Sequence, residues 1–462
     1  MEMNEILVIA MFVSFIALLF TGFPVAWALA GIGILFAGVG YLADNYLDTM
    51  TGLDYSTLGL AVGRIFGIMT NWVLVALPMF IFMGLMLDKS GVAERMMHAM
   101  QGLFGRVRGG LAIAVTLIGI ILAASTGIIG ASVVLLGVMS LPVMMRQKYS
   151  KTLALGTVAG AGCLGILIPP SIMLVIMGDQ MGLSVGDLFM GAVFPGLILG
   201  ILYIIYILLF SFFKPVSAPL SADAKPVSLA VVWSVFKTIL PPAALILSVL
   251  GSIFAGIATV TEASGIGALG AIVMAAAYRR LNWSVLKEVT INTFNTSAYI
   301  FAIFVGATVF ALVLRELGGD QLIESTLTGL PFGPYGIIAF ILAVVFLLGF
   351  FLDWIEISLI ILPLLAPVVK ALGLDIDGHG VVDNPELVWF ALLVAVTLQT
   401  SFLTPPVGFA LFYLKGVCPP GITLMHIYKG VIPFILLQLL GLLVVAFFPD
   451  VVTWLPSVAY GK

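Results

Sequence analysis

The sequence predicts an all-α polytopic membrane protein built from two inverted repeats. Three observations predict this fold class. Hydrophobic residues fill 62% of the 462 positions and charged residues only 9%, whereas a typical soluble domain has about 25% charged residues. The apolar residues form long runs, and since one helical span needs about 20 of them, there is room for roughly a dozen spans. Finally, Leu-Pro and Pro-Pro pairs recur in both halves of the chain.

The N-terminal segment and the cysteines exclude several classes of protein. The first apolar run begins at Ile6 after a segment without basic residues. A secretory signal needs a basic n-region and a small-residue cleavage site, so we expect this run to be a retained span. Cys163 and Cys418 suggest neither a disulfide framework nor a metal motif. The phosphate-binding motif G-x-x-x-x-G-K-[ST] is missing from the sequence, which argues against an ATP-hydrolysing domain.

Charge divides the segments between the apolar runs into two classes. Basic segments hold 15 of the 19 Lys and Arg residues, and such segments stay on the cytoplasmic side. The acidic segments are then expected on the outer side. This alternation works only if residues 110–145 enter and leave on the cytoplasmic side and residues 334–370 on the outer side. The sequence therefore predicts two re-entrant hairpins that open to opposite faces, with both termini periplasmic.

The two halves share an order of motifs. The Leu-Pro pair at 141–142 corresponds to the pair at 362–363, and the Pro-Pro pair at 169–170 corresponds to the pair at 405–406. Proline lacks an N–H and clashes with the preceding turn, so a Pro-Pro pair breaks a helix. Each repeat is therefore predicted to contain a hairpin followed by a broken helix.

These features divide the chain into five predicted segments. The five segments are N-terminal scaffold spans over 1–64, a first inverted repeat over 65–213, a cytoplasmic linker with central spans over 214–282, a second inverted repeat over 283–448 and an outer C-terminal tail over 449–462. The first repeat has its hairpin at 110–145 and its broken helix at 152–178. The second repeat has its hairpin at 334–370 and its broken helix at 388–414.

Breaks at corresponding positions of inverted halves indicate a central binding site. The half-helices that start at Ser171 and Val407 would direct free N–H groups inward, which suits a carboxylate. The carbonyl ends before each break, near Gly165 and Thr404, would suit a cation such as Na⁺. The alternative is a pair of kinks without a ligand, since neighbouring groups can also satisfy a broken membrane helix.

Three carboxylates lie in apolar surroundings. A carboxylate at bilayer depth costs about 2.5–3.5 kcal/mol on insertion scales, so Asp353, Glu356 and Glu262 are functional candidates. Glu262 and Glu356 could instead lie near the membrane interfaces, paired to Lys or Arg. Aligning the Leu-Pro pairs places Ser132 opposite Asp353, so only the second half offers a carboxylate at this position.

An acidic segment at 375–386 matches the spacing of an EF-hand calcium loop. Its candidate Ca²⁺ ligands are Asp375, Asp377, Asp383 and Glu386. His379 stands at the fifth position, where Asp or Asn is usual. A solvated acidic loop on the outer face is the alternative.

Two other patterns have clear interpretations. Gly182–Gly186 fits the G-x-S-x-G pattern of serine hydrolases, but it follows no predicted strand. The candidate partner histidines, His98 and His426, are expected on the cytoplasmic side, out of reach. We therefore expect a protein that is not an enzyme. Residues 91–108 alternate methionines with charged side chains and predict an amphipathic helix on the inner membrane surface.

The assembled motifs resemble the large membrane subunit of tripartite ATP-independent periplasmic (TRAP) transporters, over nearly the whole chain. The segments at 353–356 and 398–415 look most like the subgroup labelled mannitol/chloroaromatic-type. The acidic loop at 375–386 looks longer than is usual in the family, so no role there carries over. The matching stretches are Thr21-Gly22-Phe23-Pro24, Leu77-Pro78-Met79-Phe80, Ser125 to Ser132, Gly160 to Ser171, Thr261 to Gly265 and Leu398 to Lys415.

The resemblance implies partners and a mechanism. It implies a subunit of the bacterial inner membrane that works with a small four-helix membrane subunit and a soluble periplasmic substrate-binding protein, and not with nucleic acid. It implies import of a small organic acid with Na⁺ as the coupling ion, by an elevator motion of a transport domain against a scaffold. By position, the implied substrate-binding residues are Ser125, Thr126, Gly127, Ser171, Asp353, Thr400 and Ser401. The implied Na⁺ ligands, mostly backbone carbonyls, are Ser132, Gly162, Gly165, Glu262 and Thr404.

Two alternatives to this interpretation stay open. A stand-alone anion:Na⁺ symporter with similar opposed hairpins would transport without a binding protein. An ion channel or passive pore would show a flux that grows linearly with concentration and ignores a Na⁺ gradient.

Overall fold

A computed structural model describes residues 3–46, 49–220 and 228–461, without the side chains of residues 123–126. Every regular element in these residues is helical. Nine of the described helices are long and apolar enough to cross a membrane, and a bent pair raises this to ten. The prediction of an all-α polytopic membrane protein is therefore confirmed.

The helices are α1 Met3–Leu19, α2 Val25–Tyr46, α3 Tyr55–Met69, α4 Ala76–Lys89, α5 Val92–Phe104, α6 Gly110–Thr126, α7 Ile129–Arg146, α8 Lys151–Cys163, α9 Ile172–Met181, α10 Val185–Phe213, α11 Leu229–Phe254, α12 Val260–Ala277, α13 Trp283–Glu316, α14 Gly319–Thr328, α15 Pro334–Leu348, α16 Trp354–Glu356, α17 Leu362–Ala371, α18 Pro385–Leu403, α19 Phe409–Gly416, α20 Leu424–Phe447 and α21 Asp450–Tyr460. A π-helical turn, Ile357–Ile361, joins α16 to α17, and 3₁₀ turns cover Val73–Val75, Leu164–Ile166 and Pro215–Ser217.

Helix pairs stand where the charge pattern predicts hairpins. In the first half, α6 and α7 pack against each other and are joined by Gly127 and Ile128. Gly127 has φ +59°, a left-handed conformation that glycine adopts without steric cost. In the second half, α15 ends at Leu348 and the chain returns through α16, the π-helical turn and α17.

Both following helices are broken at their Pro-Pro pairs, as predicted. In the first half, the chain passes from α8 through a 3₁₀ turn and resumes at α9, and in the second half α18 gives way to α19. The peptide bonds Pro169–Pro170 and Pro405–Pro406 are both cis. The two breaks therefore share the same backbone feature as well as the same sequence pattern.

The broken helices form the centre of one packed group. Every residue of α8 from Leu153 onward and every residue of α18 from Leu387 onward is buried. Both helices pack against α20, and α18 also contacts α10. The approach of α20 to α8 is close, because a Cβ on Gly156 would lie 2.1 Å from the carbonyl oxygen of Gly430. A second group pairs α2 with α13 and α4 with α12.

The amphipathic helix predicted over 91–108 is present as α5. Its buried face includes Met96, Met97 and Met100. On its other face, the Arg95 guanidinium lies 4.3 Å from the ring centroid of Tyr278. Since α5 packs against both α6 and α11, it joins the first hairpin to helices outside it.

Two segment edges differ from the sequence prediction. The boundary placed after residue 64 falls inside α3, whose first turn is polar and whose apolar run is therefore short. The C-terminal segment predicted as a tail contains α21, which packs against α10. Of the other predicted boundaries, 213 is the last residue of α10, 282 directly precedes α13, and 448 directly follows α20.

Candidate functional site

The first break brings the hairpin turn against the start of α9. A Cβ on Gly127 would lie 3.1 Å from the backbone nitrogen of Ile172, which is the first residue of α9. Ser171 precedes it in extended conformation and is fully buried. The free N–H groups at the start of α9 are therefore close to the turn of the first hairpin, and such groups favour anions.

The first Pro-Pro pair removes two helical hydrogen-bond donors. Pro169 and Pro170 have no N–H, so the carbonyls of Gly165 and Ile166 lose the donor that an unbroken helix would supply. The Ile166 carbonyl accepts the Ser171 hydroxyl at 2.5 Å. The carbonyl of Gly165 loses its helical donor as well, and its assignment as a Na⁺ ligand stays a prediction.

The second Pro-Pro pair has the same effect. Pro405 and Pro406 deprive the carbonyls of Ser401 and Phe402 of their helical donors. The Ser401 carbonyl accepts the N–H of Thr404 at 3.0 Å. One carbonyl of each freed pair is thus bound within the break, and the residues present fit a cation that prefers neutral oxygen ligands.

The polar side chains before the second break have different local partners. The Ser401 hydroxyl donates to the carbonyl of Phe346 at 2.7 Å, which ties α18 to α15. Thr400 donates to the carbonyl of Val396 at 2.8 Å, and Thr404 donates to that of Thr400 at 2.7 Å. Bonds of this kind to the helix's own carbonyls are common for Thr in membrane helices. Each hydroxyl oxygen can still accept a bond from a ligand.

Asp353 and Glu356 lie at the start of the returning arm of the second hairpin. Asp353 is the N-cap residue of α16, and its Oδ1 accepts the N–H of Trp354 at 2.8 Å. Glu356 is 1% exposed, and its Oε2 has no hydrogen-bond partner among the described residues. The Tyr299 hydroxyl of α13 is within electrostatic range of both carboxylates. A buried carboxylate oxygen without a partner is costly and therefore marks a candidate ligand-binding group.

Tyr413 of α19 links the two halves of the site. A Cβ on Gly130, in the first turn of α7, would lie 3.0 Å from the Tyr413 ring. The same tyrosine is within electrostatic range of Asp353. In addition, α9 packs against α16 and the π-helical turn that follows it. Elements of both hairpins and both broken helices therefore converge on one region.

The remaining residues predicted in the first half have mixed positions. Gly162 packs directly on α7, because a Cβ there would lie 2.4 Å from Val133 Cγ2. Ser132 is fully buried within α7. Ser125 and Thr126 belong to the last turn of α6, but their side chains lie outside the described residues.

Glu262 has a structural role at a helix start. Its Oε2 accepts the Thr259 N–H and hydroxyl, both at 2.8 Å, and this completes a capping box at the start of α12. The side chain is exposed and lines a pocket of about 590 Å³ together with Trp72 and Asp179. Its assignment as a Na⁺ ligand stays a prediction.

The acidic loop at 375–386 has its own contacts. His379 Nδ1 lies 3.4 Å from Asp377, and its Nε2 lies 3.9 Å from Asp450 of α21. Among the described residues, no three His, Cys, Asp or Glu side chains are arranged to hold a metal ion. Calcium binding by this loop stays a prediction.

Sequence reasoning missed Tyr299 and Tyr413 as candidate site residues. Each is a tyrosine, with a polar hydroxyl, within a long apolar run. That is the one local signal that could have selected them. Their proximity to Asp353 depends on helix packing.

Comparison with known proteins assigns the family. The family model described as "Tripartite ATP-independent periplasmic transporter, DctM component" matches residues 12–451. The chain belongs to this family. A C4-dicarboxylate TRAP transporter large permease protein DctM from Pseudomonas aeruginosa is 30% identical over 403 residues, which cover 87% of this chain and 90% of that protein. The corresponding protein of Rhodobacter capsulatus is 30% identical over 459 residues, or 96% and 97% of the two chains.

Other DctM-family relatives carry different substrate names. The sialic acid TRAP transporter large permease protein SiaM of Vibrio cholerae is 27% identical over 452 residues, or 97% of this chain and 98% of that protein. Among solved structures, the Alcanivorax borkumensis YdaH transporter is similar in fold, with a TM-score of 0.61 at 14% identity, over 86% of this chain and 89% of that one. The family resemblance seen in the sequence is therefore confirmed, and this DctM-family chain is a multi-pass membrane protein of a transporter family.

Proposed function

We propose that this chain is the translocating subunit of a Na⁺-coupled secondary transporter that imports a small organic acid. The observation that carries the proposal is that elements of both halves meet: Tyr413 of α19 packs on Gly130 of the first hairpin, and α9 packs against α16 of the second hairpin. A site shared by both hairpins can be exposed to either membrane face. This is the arrangement that alternating access needs.

The described groups have separable roles in binding. The start of α9, beside Gly127, offers backbone N–H groups to a substrate carboxylate. The carbonyl of Gly165 and its counterpart before the second break would hold Na⁺, whose positive charge favours an adjacent anion. Tyr299 and Tyr413 offer hydroxyls that can donate to or accept from the substrate. No basic side chain is needed in this scheme.

The proposed motion is of the elevator type. The packed group around α8, α18 and α20 contains both breaks, whereas Tyr299 stands on α13 in the other group. If the first group moves as a body against the second, Asp353 leaves Tyr299 in one of the two end states. The substrate would then change its scaffold contacts as it crosses.

We place the subunit in the bacterial inner membrane with both termini periplasmic. The separation of basic from acidic segments supports this orientation. The proposed partners are a small four-helix membrane subunit and a periplasmic substrate-binding protein, as membership of the TRAP family implies. The 353–356 and 398–415 segments favour the mannitol/chloroaromatic-type subgroup, which does not name a substrate.

Reconstitution into proteoliposomes tests the proposal. The chain and its small subunit would be supplied with binding protein, a radiolabelled organic acid and an inward Na⁺ gradient, with K⁺ replacing Na⁺ as the control. We expect uptake only when Na⁺ and the binding protein are both present. Uptake without the binding protein would identify a stand-alone symporter. A linear flux that is insensitive to Na⁺ would identify a channel.

A further inference from the structure

An apolar groove lies between the first helix and the second hairpin. Its volume is about 460 Å³, and α1, α14, α15, α17 and the π-helical turn supply its walls. Among the described residues that line it, only Thr326 is polar. Val8 and Val345 on its inner wall are buried, whereas Ile9 and Val13 are exposed. The groove is therefore closed on one side and open to the surroundings of the protein on the other.

The groove separates the two packed groups of helices. The ring of Phe15 in α1 packs on that of Phe310 in α13, with centroids 5.4 Å apart, so α1 belongs with α2 and α13. The opposite wall, α15, belongs with the broken helices, because it packs on α18 and its Phe346 carbonyl accepts the Ser401 hydroxyl. Packing within either group therefore leaves this gap unfilled.

The size and chemistry of the groove exclude most occupants. Apolar cavities stay dry, and hydrocarbon walls offer no donor to a carboxylate. A helix is about 10–12 Å across and would fill 460 Å³ within about one turn. The wall area is also far below the roughly 800 Å² that each partner buries in a specific protein–protein interface. A thin, flexible hydrocarbon chain is the occupant that fits.

The length of the groove matches one leaflet of a bilayer. Its wall on α1 extends from Val8 to Ile16, which is about 12 Å along a helix, whereas the hydrocarbon of one leaflet is about 15 Å deep. The residues at its open side, which include Phe340 and Val344 of α15, are apolar and exposed, as a surface in contact with lipid requires.

We propose that this groove binds one acyl chain of a bilayer phospholipid as a resident ligand between α1 and the second hairpin. The chain fills the gap between the two helix groups without bonding to either of them. Two groups that move against each other would thus keep an apolar seal on their lipid side. The binding itself depends neither on the substrate nor on the Na⁺ coupling proposed above.

The test compares two valine substitutions in the full-length protein. Val13→Trp places an indole in the groove. Val273→Trp is the matched control, because Val13 and Val273 are both 60% exposed and Val273 stands on α12, outside the groove. Each protein is reconstituted in nanodiscs with a phospholipid that carries a diazirine on its acyl chain. The bulk lipid is then exchanged for unlabelled lipid before irradiation, and the labelled peptides are identified by mass spectrometry.

We expect wild type and Val273→Trp to keep the label on α1 and α15, and Val13→Trp to lose it. Label near the exposed Leu269 of α12 should be removed by the exchange in all three proteins. Cryo-electron microscopy of wild type in nanodiscs should show a tubular density along α1 from Val8 to Ile16.

Three results would overturn the proposal. In the first, the label on α1 of wild type is removed as completely as that on α12, so that the groove holds lipid no better than an open surface does. In the second, a folded Val13→Trp protein keeps its label. In the third, the density in the groove is a polypeptide, from a second copy of this chain or from a partner subunit. The first and third results need wild-type protein alone.

Discussion

Gly162 is a position where a single methyl group should disturb the packing of the first repeat. A Cβ there would lie 2.4 Å from Val133 Cγ2, 2.9 Å from its Cα and 3.1 Å from its N. The Cγ2 contact could be relieved by rotation of the valine, but the two backbone contacts could not. Ordinary contacts between carbon atoms are about 3.5–4.0 Å, so Gly162→Ala must push α8 away from α7 by several tenths of an ångström.

The expected size follows from two opposing effects. Overpacking a core costs about 1–3 kcal/mol, and the helix preference of Ala over Gly returns at most about 1 kcal/mol. We therefore expect Gly162→Ala to lower the free energy of unfolding by about 1–2 kcal/mol. Gly265→Ala in α12 is the control, because no atom lies within 4 Å of its added Cβ. It should be as stable as wild type or slightly more stable.

The melting temperatures of purified Gly162→Ala and Gly265→Ala in detergent compare the stabilities of the two variants. Na⁺-driven uptake then gives a second comparison, because Gly162 stands on the arm that leads to the first break. Displacing this arm should raise the Na⁺ concentration needed for half-maximal uptake in Gly162→Ala and leave that of Gly265→Ala unchanged. If the two variants have the same melting temperature, α8 does not pack as closely on α7 as the structure indicates.

Three further predictions test other parts of the site. Asp353→Asn should abolish Na⁺-driven uptake at near wild-type expression, and unchanged uptake would remove this carboxylate from the site. Ser401→Ala should lower stability by about 1 kcal/mol more than Thr400→Ala, because only Ser401 bonds to another helix; equal melting temperatures would contradict this. In Cys-free protein, a membrane-impermeant maleimide added from the periplasm should label Asp377→Cys but not Lys148→Cys, and the reverse pattern would invert the proposed orientation.

The hairpins and breaks could be predicted because their causes are local. Pro-Pro pairs break helices wherever they occur, and charge sorting follows from the cost of moving Lys and Arg across the membrane. These two rules place α6–α7, α15–α17 and both broken helices within a few residues of their observed bounds. The capping box that engages Glu262 is also local, and its Thr259 and Glu262 are visible in the sequence.

Contacts between distant segments could not be predicted in this way. Tyr413 of α19 meets Gly130 from the opposite half of the chain, and the Tyr203 ring of α10 packs on Phe434 of α20. Neither contact leaves a periodic or spacing signal, since each depends on how long helices cross. The same limit explains why Glu356 could be read either as an interfacial residue or as a buried one.

The two halves contribute unequal charge to the region where they meet. The first half brings the start of α9 beside Gly127, which favours an anion, whereas the second brings Asp353 and the buried Glu356. Two unit charges of the same sign 4 Å apart repel by about 4 kcal/mol at an effective dielectric constant near 20. A substrate carboxylate placed against Asp353 would meet that penalty unless a cation lay between them. The asymmetry therefore supports the proposal that substrate and Na⁺ bind together, because a cation between the substrate carboxylate and Asp353 would relieve this repulsion.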